Sequence, residues 1–180
     1  TLYYKPRFGE SMNTVRIVVP VLEQLVVIEG TTTSPVKDIT FKGITFAYAT
    51  WNEPDTRGFL EAQANMCMQP DAENYFNLEM DKWEKPLGNI SVSYANNITF
   101  ERNKFMSMGG AGLSIEKCKN ITVIGNEFTD ISSNPIQLGG FTFDDMNSPD
   151  ERKITKDCTI SNNYIHHSGV EYSGSCGIWA

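Results

Sequence analysis

The sequence predicts an all-β solenoid, a parallel β-helix, and three observations predict it. Four segments align under one another: Asp38-Ile39-Thr40-Phe41, Asn97-Ile98-Thr99-Phe100, Asn120-Ile121-Thr122-Val123 and Asp157-Cys158-Thr159-Ile160. An asparagine follows the last three at a common offset, at Asn103, Asn126 and Asn163, and leads into Lys104-Phe105, Glu127-Phe128 and Tyr164-Ile165. These asparagines are 23 and then 37 residues apart, and the 14-residue excess falls in one polar stretch, Gly139 to Lys156. A period in the twenties with an insertion in a single turn marks a solenoid, because one such repeat cannot bury its apolar face alone.

Residues 1–35 read as lead-in strands. Thr14 to Val19 and Leu25 to Glu29 are rich in Val and Ile, as strands are. Pro20 breaks them apart, having no N–H to give a ladder. Thr31 to Pro35 is a turn-like linker, and 36–180 carries the coils. In Asn97 to Cys118, Ile98 and Phe100 alternate inward, Asn103 marks a turn, Phe105 points in, Gly109-Gly110 bends the chain, and Leu113 and Ile115 point in. The next coil repeats this with Ile121, Val123, Asn126, Phe128, Ile136 and Leu138, and the last with Cys158, Ile160, Asn163, Ile165 and Ile178. A period of two rules against helix. Stacked strands pair each backbone group with the coils above and below. Asparagine suits the recurrent turn, since it tolerates the left-handed conformation and its amide can bond its copy one coil away.

Two insertions interrupt the repeat, near 52–88 and 139–156. In the first, Gly58 to Gln69 has strand-like composition, and Asp71 to Gly88 is acidic and carries Trp83. The chain opens on Thr1-Leu2-Tyr3-Tyr4 and closes on Gly177-Ile178-Trp179-Ala180 without a capping repeat, so the solenoid is expected to be incomplete at both ends.

Composition narrows the function classes. The 180 residues are 40% hydrophobic and 21% charged, an ordinary globular balance. A net charge of −7 argues against nucleic acid or an anionic membrane surface as partner. The longest apolar run, Ile17 to Leu22, contains Pro20 and is far too short to span a bilayer, and no signal-like segment opens the chain. The four cysteines, Cys67, Cys118, Cys158 and Cys176, form no C-x-x-C pair, which disfavours zinc. Cys158 fills the slot of Ile39, Ile98 and Ile121, so a small buried hydrophobe is its plain reading; a disulfide stays open.

Insertions of a solenoid project from one face, often the binding face. Gly139 to Asp150 and His166 to Gly174 hold both histidines, several carboxylates and aromatics. Such a mixture suits carbohydrate, on which aromatic faces stack and carboxylates do acid–base work. His166, His167, Tyr172, Asp144 and Asp145 are the candidate substrate-binding residues, against the plain reading that loop residues are solvated. Asp144 and Asp145 could hold Ca²⁺, but their spacing is not that of an EF-hand, and no cofactor or metal is expected. Asp130 aligns with His167 one coil on and Ser107 one coil back. Coils stack about 4.8 Å apart, so Asp130 and His167 should be neighbours. Asp130 and Glu171 fall in successive coils and are the candidate catalytic carboxylates. Carboxyls one coil apart would match the roughly 5–5.5 Å of a retaining glycosidase, and two coils apart the roughly 6.5–9.5 Å of an inverting one.

Some longer stretches carry a resemblance. Thr1 to Glu10, Val19-Pro20-Val21-Leu22-Glu23, and Ile44-Thr45-Phe46-Ala47 with Trp51 resemble the opening of the β-helix in bacterial right-handed parallel β-helix glycoside hydrolases. Asn162-Asn163-Tyr164-Ile165-His166 with Gly169-Val170-Glu171-Tyr172 and Gly177-Ile178 look like a later coil of that group. The chain looks most similar to glycoside hydrolase family 141, which includes α-L-fucosidase and xylanase activities; family 120 β-xylosidases are similar in the opening section. The resemblance implies a right-handed helix, a secreted or periplasmic protein, a plant or host polysaccharide as substrate, and a carboxylate pair in the groove, carried here onto Asp130 and Glu171. His166 would orient one of them or bond a sugar hydroxyl, and Tyr172 and Trp179 are candidates to stack on sugar, against the plain reading of Trp179 as a core residue. Relatives commonly read His-Asp where this chain has His166-His167. Two rivals stand beside the hydrolase. A polysaccharide lyase needs a Lys or Arg base, and none lies between Lys156 and Ala180. A non-catalytic carbohydrate-binding or adhesion solenoid would show exposed aromatics without a close carboxylate pair.

Overall fold

Each repeat of alternating apolar and polar residues forms three short strands, and equivalent strands stack into three parallel sheets. The computed structural model describes residues 3–53, 66–68, 83–140 and 142–180. The first coil comprises β1 (Val26–Glu29), β2 (Val36–Lys42) and β3 (Thr45–Ala49). A small antiparallel pair, β4 (Cys67–Met68) and β5 (Trp83–Glu84), belongs to the first insertion. The second coil is β6 (Gly88–Ser93), β7 (Ala95–Glu101) and β8 (Lys104–Met108), and the third is β9 (Ala111–Glu116), β10 (Lys119–Ile124) and β11 (Glu127–Ile131). After β12 (Ile136–Leu138) the second insertion supplies a helix α1 (Phe143–Asn147) and a 3₁₀ turn, Glu151–Lys153. Then β13 (Thr159–Ser161), β14 (Tyr164–Ser168) and β15 (Ile178–Trp179) follow. The first sheet runs β1-β6-β9-β12-β15, the second β2-β7-β10-β13 and the third β3-β8-β11-β14. Successive strands of one sheet are parallel and one whole coil apart in the chain, which makes a parallel β-helix. Crossovers between parallel strands of one sheet are right-handed almost without exception, and so is this helix.

Inward residues stack in columns. Ile39, Ile98 and Ile121 pair in register, and Cys158 precedes Thr159, which pairs with Thr122, so it occupies the same column. The expected inward column is therefore present: Ile98 and Ile121 are buried and Cys158 packs against the core. Aromatic columns run alongside, with Phe41 stacked on Phe100 at 5.0 Å and Phe105 on Phe128 at 4.3 Å. Cys118, Cys158 and Cys176 are free thiols, and burial pushes the Cys118 thiol up to about 12.

The corner between the second and third sheets is closed by the recurrent asparagines. Asn126 Nδ2 donates to the carbonyl of Phe100 in the coil before (2.9 Å), and its Oδ1 accepts from the Asn103 N–H of that coil (2.9 Å). Asn103 does the same to Phe41 and Ile44, and Asn163 to Val123 and Asn126. Asn163 Oδ1 also accepts from Asn126 Nδ2 at 3.0 Å. Each side chain thus satisfies one donor and one acceptor that the bend removes from the sheets, and Asn103 and Asn126 are buried in doing so. A second, exposed ladder links Asp38, Asn97 and Asn120 through side-chain bonds of 2.8 Å. Those residues and Asp157 all have φ between 56° and 60°, a left-handed bend that Asn and Asp tolerate best.

Two expectations about the lead-in and the first insertion need comment. Thr14 to Val19 forms no strand; it lies in a section held by local turns such as Thr14 N–H to the Ser11 carbonyl. Val18, Val19 and Val21 are exposed. A β-branched run becomes a strand only against a partner edge, and among the described residues no strand pairs with this one. The first stacked strand, β1, lies within the expected lead-in section and pairs with β6. Most of Gly58 to Gln69, and of Asp71 to Gly88 before Trp83, falls outside the described residues.

Replacing Asn126 with Ala should strand the Asn103 N–H and the Phe100 carbonyl in a buried corner. The expected cost is about 1 kcal/mol or more, read by denaturant unfolding; a curve superimposable on the parent would contradict the role given to the ladder.

Candidate functional site

The third sheet carries the sequence candidates on its outer face. Tyr48, Ser107, Asp130 and His167 form one column with φ of 65°, 53°, 54° and 49°. The left-handed bend lifts these side chains out of the strand alternation. Asp130 lies between Thr129, paired with His166, and Ile131, paired with Ser168, so it stands beside His167 as expected. Ser107, its other predicted neighbour, donates its hydroxyl to Asp130 Oδ2 at 2.8 Å.

His166 projects from the same face, where Tyr164 stacks on it at 4.3 Å. Its Nε2 is 3.3 Å from Glu127 Oε1; a carboxylate only accepts, so Nε2 carries the proton. Its Nδ1 then faces Thr129 Oγ1 (3.3 Å) and His167 Nδ1 (2.7 Å). Glu127 in turn accepts from Lys104 Nζ at 2.9 Å. The Lys104 ammonium first, and His166 second, hold the Glu127 carboxyl below its ordinary value of 4.5.

The corner between the third and first sheets holds Glu171 and Tyr172. Val170 N–H bonds the Ile131 carbonyl and Tyr172 N–H the Ser132 carbonyl, which lays this turn over the equivalent turn of the coil before. Glu171 Oε2 accepts a short hydrogen bond from Ser132 Oγ. Tyr172 meets the Trp51 ring edge-on at 5.5 Å, although Trp51 belongs to the first coil. Gly109 lets its own coil pack closely on the one before: a Cβ there would lie 3.0 Å from the Thr50 and Trp51 backbone. Asp130 precedes Ser132 by two residues, so both candidate carboxylates attach to the same short stretch of coil three.

A groove of about 480 Å³ lies over the outer face of the first sheet. Glu53, Lys85 and Leu87 of the first insertion line it, as do Ser114 and Glu116 of β9 and Asp145 of the second insertion. The Lys85 side chain is only 8% exposed and spans the two insertions, with Nζ 2.5 Å from Glu116 Oε1 and 2.6 Å from the Gly139 carbonyl. Burial lowers its pKa, and the Glu116 carboxylate opposes that shift.

With this geometry in place, comparison with known proteins identifies the family. Residues 84–180 match the family described as right handed beta helix region. The chain is a member of this family. A solved structure described as a glycoside hydrolase superposes on the β-helix with a TM-score of 0.83 and 30% sequence identity. The match covers 96% of this chain and 32% of that one, so the chain spans about a third of that protein's length. A comparison with curated proteins finds no match.

The β-helix brings Asp130, His166 and His167 onto one face, and Glu171 and Tyr172 onto the corner beside it. Asp144 and Asp145 lie apart from these in the second insertion, where Asp145 lines the groove. Asp145 closes a capping box with Thr142 at the start of α1 and lies 3.8 Å from Lys117, while Asp144 pairs with Lys153 at 3.5 Å. Among the described residues, no three His, Cys, Asp or Glu side chains converge as metal ligands. Sequence reasoning passed over Ser132, Glu127 and Lys85. Register could have supplied Glu127, which precedes Phe128 as Tyr164 precedes Ile165. Nothing in the repeat pointed to Lys85, which lies in an insertion.

Because its pKa is lowered, Glu127 contributes stability that is fully present above the ordinary value of 4.5 and lost as pH falls through the lowered one. An NMR titration of its carboxyl should show that value rising toward 4.5 in Lys104→Met. An unchanged titration would remove the ion pair as the cause.

Proposed function

We propose that this β-helix is part of a glycoside hydrolase that acts on polysaccharide or oligosaccharide of the fucosidase or xylan type, akin to families 141 and 120. The observation that carries the reading is the 30% identity with a protein described as a glycoside hydrolase, sustained over 96% of the chain. The corner at Glu171 supports it. A carboxylate there adjoins Tyr172 and Trp51, an arrangement that suits a sugar ring.

In this reading Asp130 and Glu171 are the two carboxyl groups of glycosidic cleavage. One gives its proton to the leaving oxygen as the bond breaks. The other attacks the anomeric carbon or takes a proton from the attacking water. Ser132 Oγ–H donates to Glu171 and Ser107 Oγ–H to Asp130, which fixes the rotamer of each carboxyl. His166, held by Glu127, and the adjacent His167 are placed to bond sugar hydroxyls, and Tyr172 to cover a ring face. A secreted or periplasmic location fits such a substrate and belongs to the same proposal.

In the full-length protein, Asp130→Asn and Glu171→Gln should each lower hydrolysis of aryl xylosides or fucosides at least about a hundredfold, since general acid–base catalysis contributes roughly 10²–10⁴. Both swaps keep size and lie at the surface, so circular dichroism should be unchanged. Turnover close to the parent by both variants would take these residues out of the reaction.

A further inference from the structure

Beside the groove over the first sheet stands a polar group that the fold itself does not use. Gln137 follows the inward-facing Ile136 in β12, so the alternation directs it to the outer face of the sheet. It stands in one column with Ser91, Ser114 and Trp179. It is 0% exposed, yet neither Nε2 nor Oε1 has a hydrogen-bond partner among the described residues. Burying an unpaired polar group is unfavourable. A leucine in this slot would avoid that cost, so the carboxamide asks for another explanation than packing.

Lys85 supplies the connection to the groove. Its Nζ touches both column neighbours of Gln137: Ser114 Oγ at 3.5 Å and the Trp179 ring at 5.3 Å from the centroid. The lysine therefore bridges the residues on either side of the carboxamide, in the wall of the groove that Ser91, Ser114 and Lys85 line. The groove's 480 Å³ falls in the range of small-molecule sites.

We propose that this groove is a binding subsite for a neutral sugar, in which Gln137 reads a pair of ring hydroxyls once Lys85 swings aside. A carboxamide offers two N–H donors and one carbonyl acceptor, and neighbouring sugar hydroxyls supply the complementary acceptor and donor. Ser114 adds a hydroxyl that can donate or accept. The Trp179 ring, at the end of the column, offers an apolar face for the C–H face of the sugar. The selectivity follows from charge. The lining cations Lys85 and Lys117 already hold Glu116 and Asp145 carboxylates, so a uronate would bring its charge among carboxylates. The subsite rests on the carbohydrate reading above but uses neither Asp130 nor Glu171.

Isothermal titration of the full-length protein with xylotriose and 2′-fucosyllactose, and with trigalacturonate as the acidic comparison, tests it. The parent should bind at least one neutral probe and bind it more tightly than trigalacturonate. Gln137→Leu and Gln137→Met should weaken that binding at least tenfold, while their thermal midpoints equal or exceed the parent's because the unpaired amide is gone. Binding unchanged in both variants, tighter binding of trigalacturonate, or no binding of either neutral probe by the parent would overturn the subsite. Its failure stays separate from that of the hydrolase reading. Hydrolysis that depends on Glu171 and Asp130 but not on Gln137 sinks only the subsite. Gln137-dependent binding in a protein whose Asp130→Asn and Glu171→Gln variants keep parental turnover sinks only the carboxylate assignment.

Discussion

The hydrogen-bonded corner between the second and third sheets is the constraint on which the solenoid depends. A strand that leaves one sheet for the next carries backbone groups out of the ladder, and a buried corner has no water to satisfy them. Asn103, Asn126 and Asn163 answer that need with one donor and one acceptor each, directed at the coil before. Because every asparagine binds its neighbour's backbone, the ladder sets the register of one coil on the next. That register stacks Phe105 on Phe128 and places Ser107 beside Asp130. Core and surface columns are consequences of the same alignment.

The candidate chemistry is assembled across coils. Trp51 of the first coil meets Tyr172 of the fourth. Glu171 takes its hydrogen bond from Ser132, one coil earlier. Lys104, Glu127 and His166 form a chain through three successive coils of the third sheet. The last two arrangements join residues 23 to 39 apart in sequence, because stacked strands bring equivalent positions of successive coils to about 4.8 Å. Side chains at the surface of such an array are held by neighbours above and below, which suits a site that must present fixed groups to a rigid sugar.

How much of this was legible in the sequence follows the same physics. The columns of Ile98, Ile121 and Cys158 were readable, since period two and the recurrent asparagine fix inward positions without tertiary knowledge. The neighbours of Asp130 were readable by offset for the same reason. Thr14 to Val19 was misread because β composition says nothing about whether a partner edge exists. Thr142-Phe143-Asp144-Asp145 has the spacing of a helix-capping box, a local signal in the sequence for the short helix of the second insertion. Lys85 and Gln137 were invisible for a different reason. Lys85 lies in an insertion outside the repeat, and a period of two marks Gln137 as outward-facing, with no signal that it is buried there.

The account rests on a sugar meeting carboxylates that the coils have aligned. A crystal structure of the catalytically silenced Glu171→Gln full-length protein soaked with xylotriose or 2′-fucosyllactose tests this most directly. The account predicts a sugar ring against Tyr172, with its glycosidic oxygen or anomeric carbon within reach of both residue 171 and Asp130. A sugar bound with its scissile bond away from both residues, on another face of the β-helix, would contradict it.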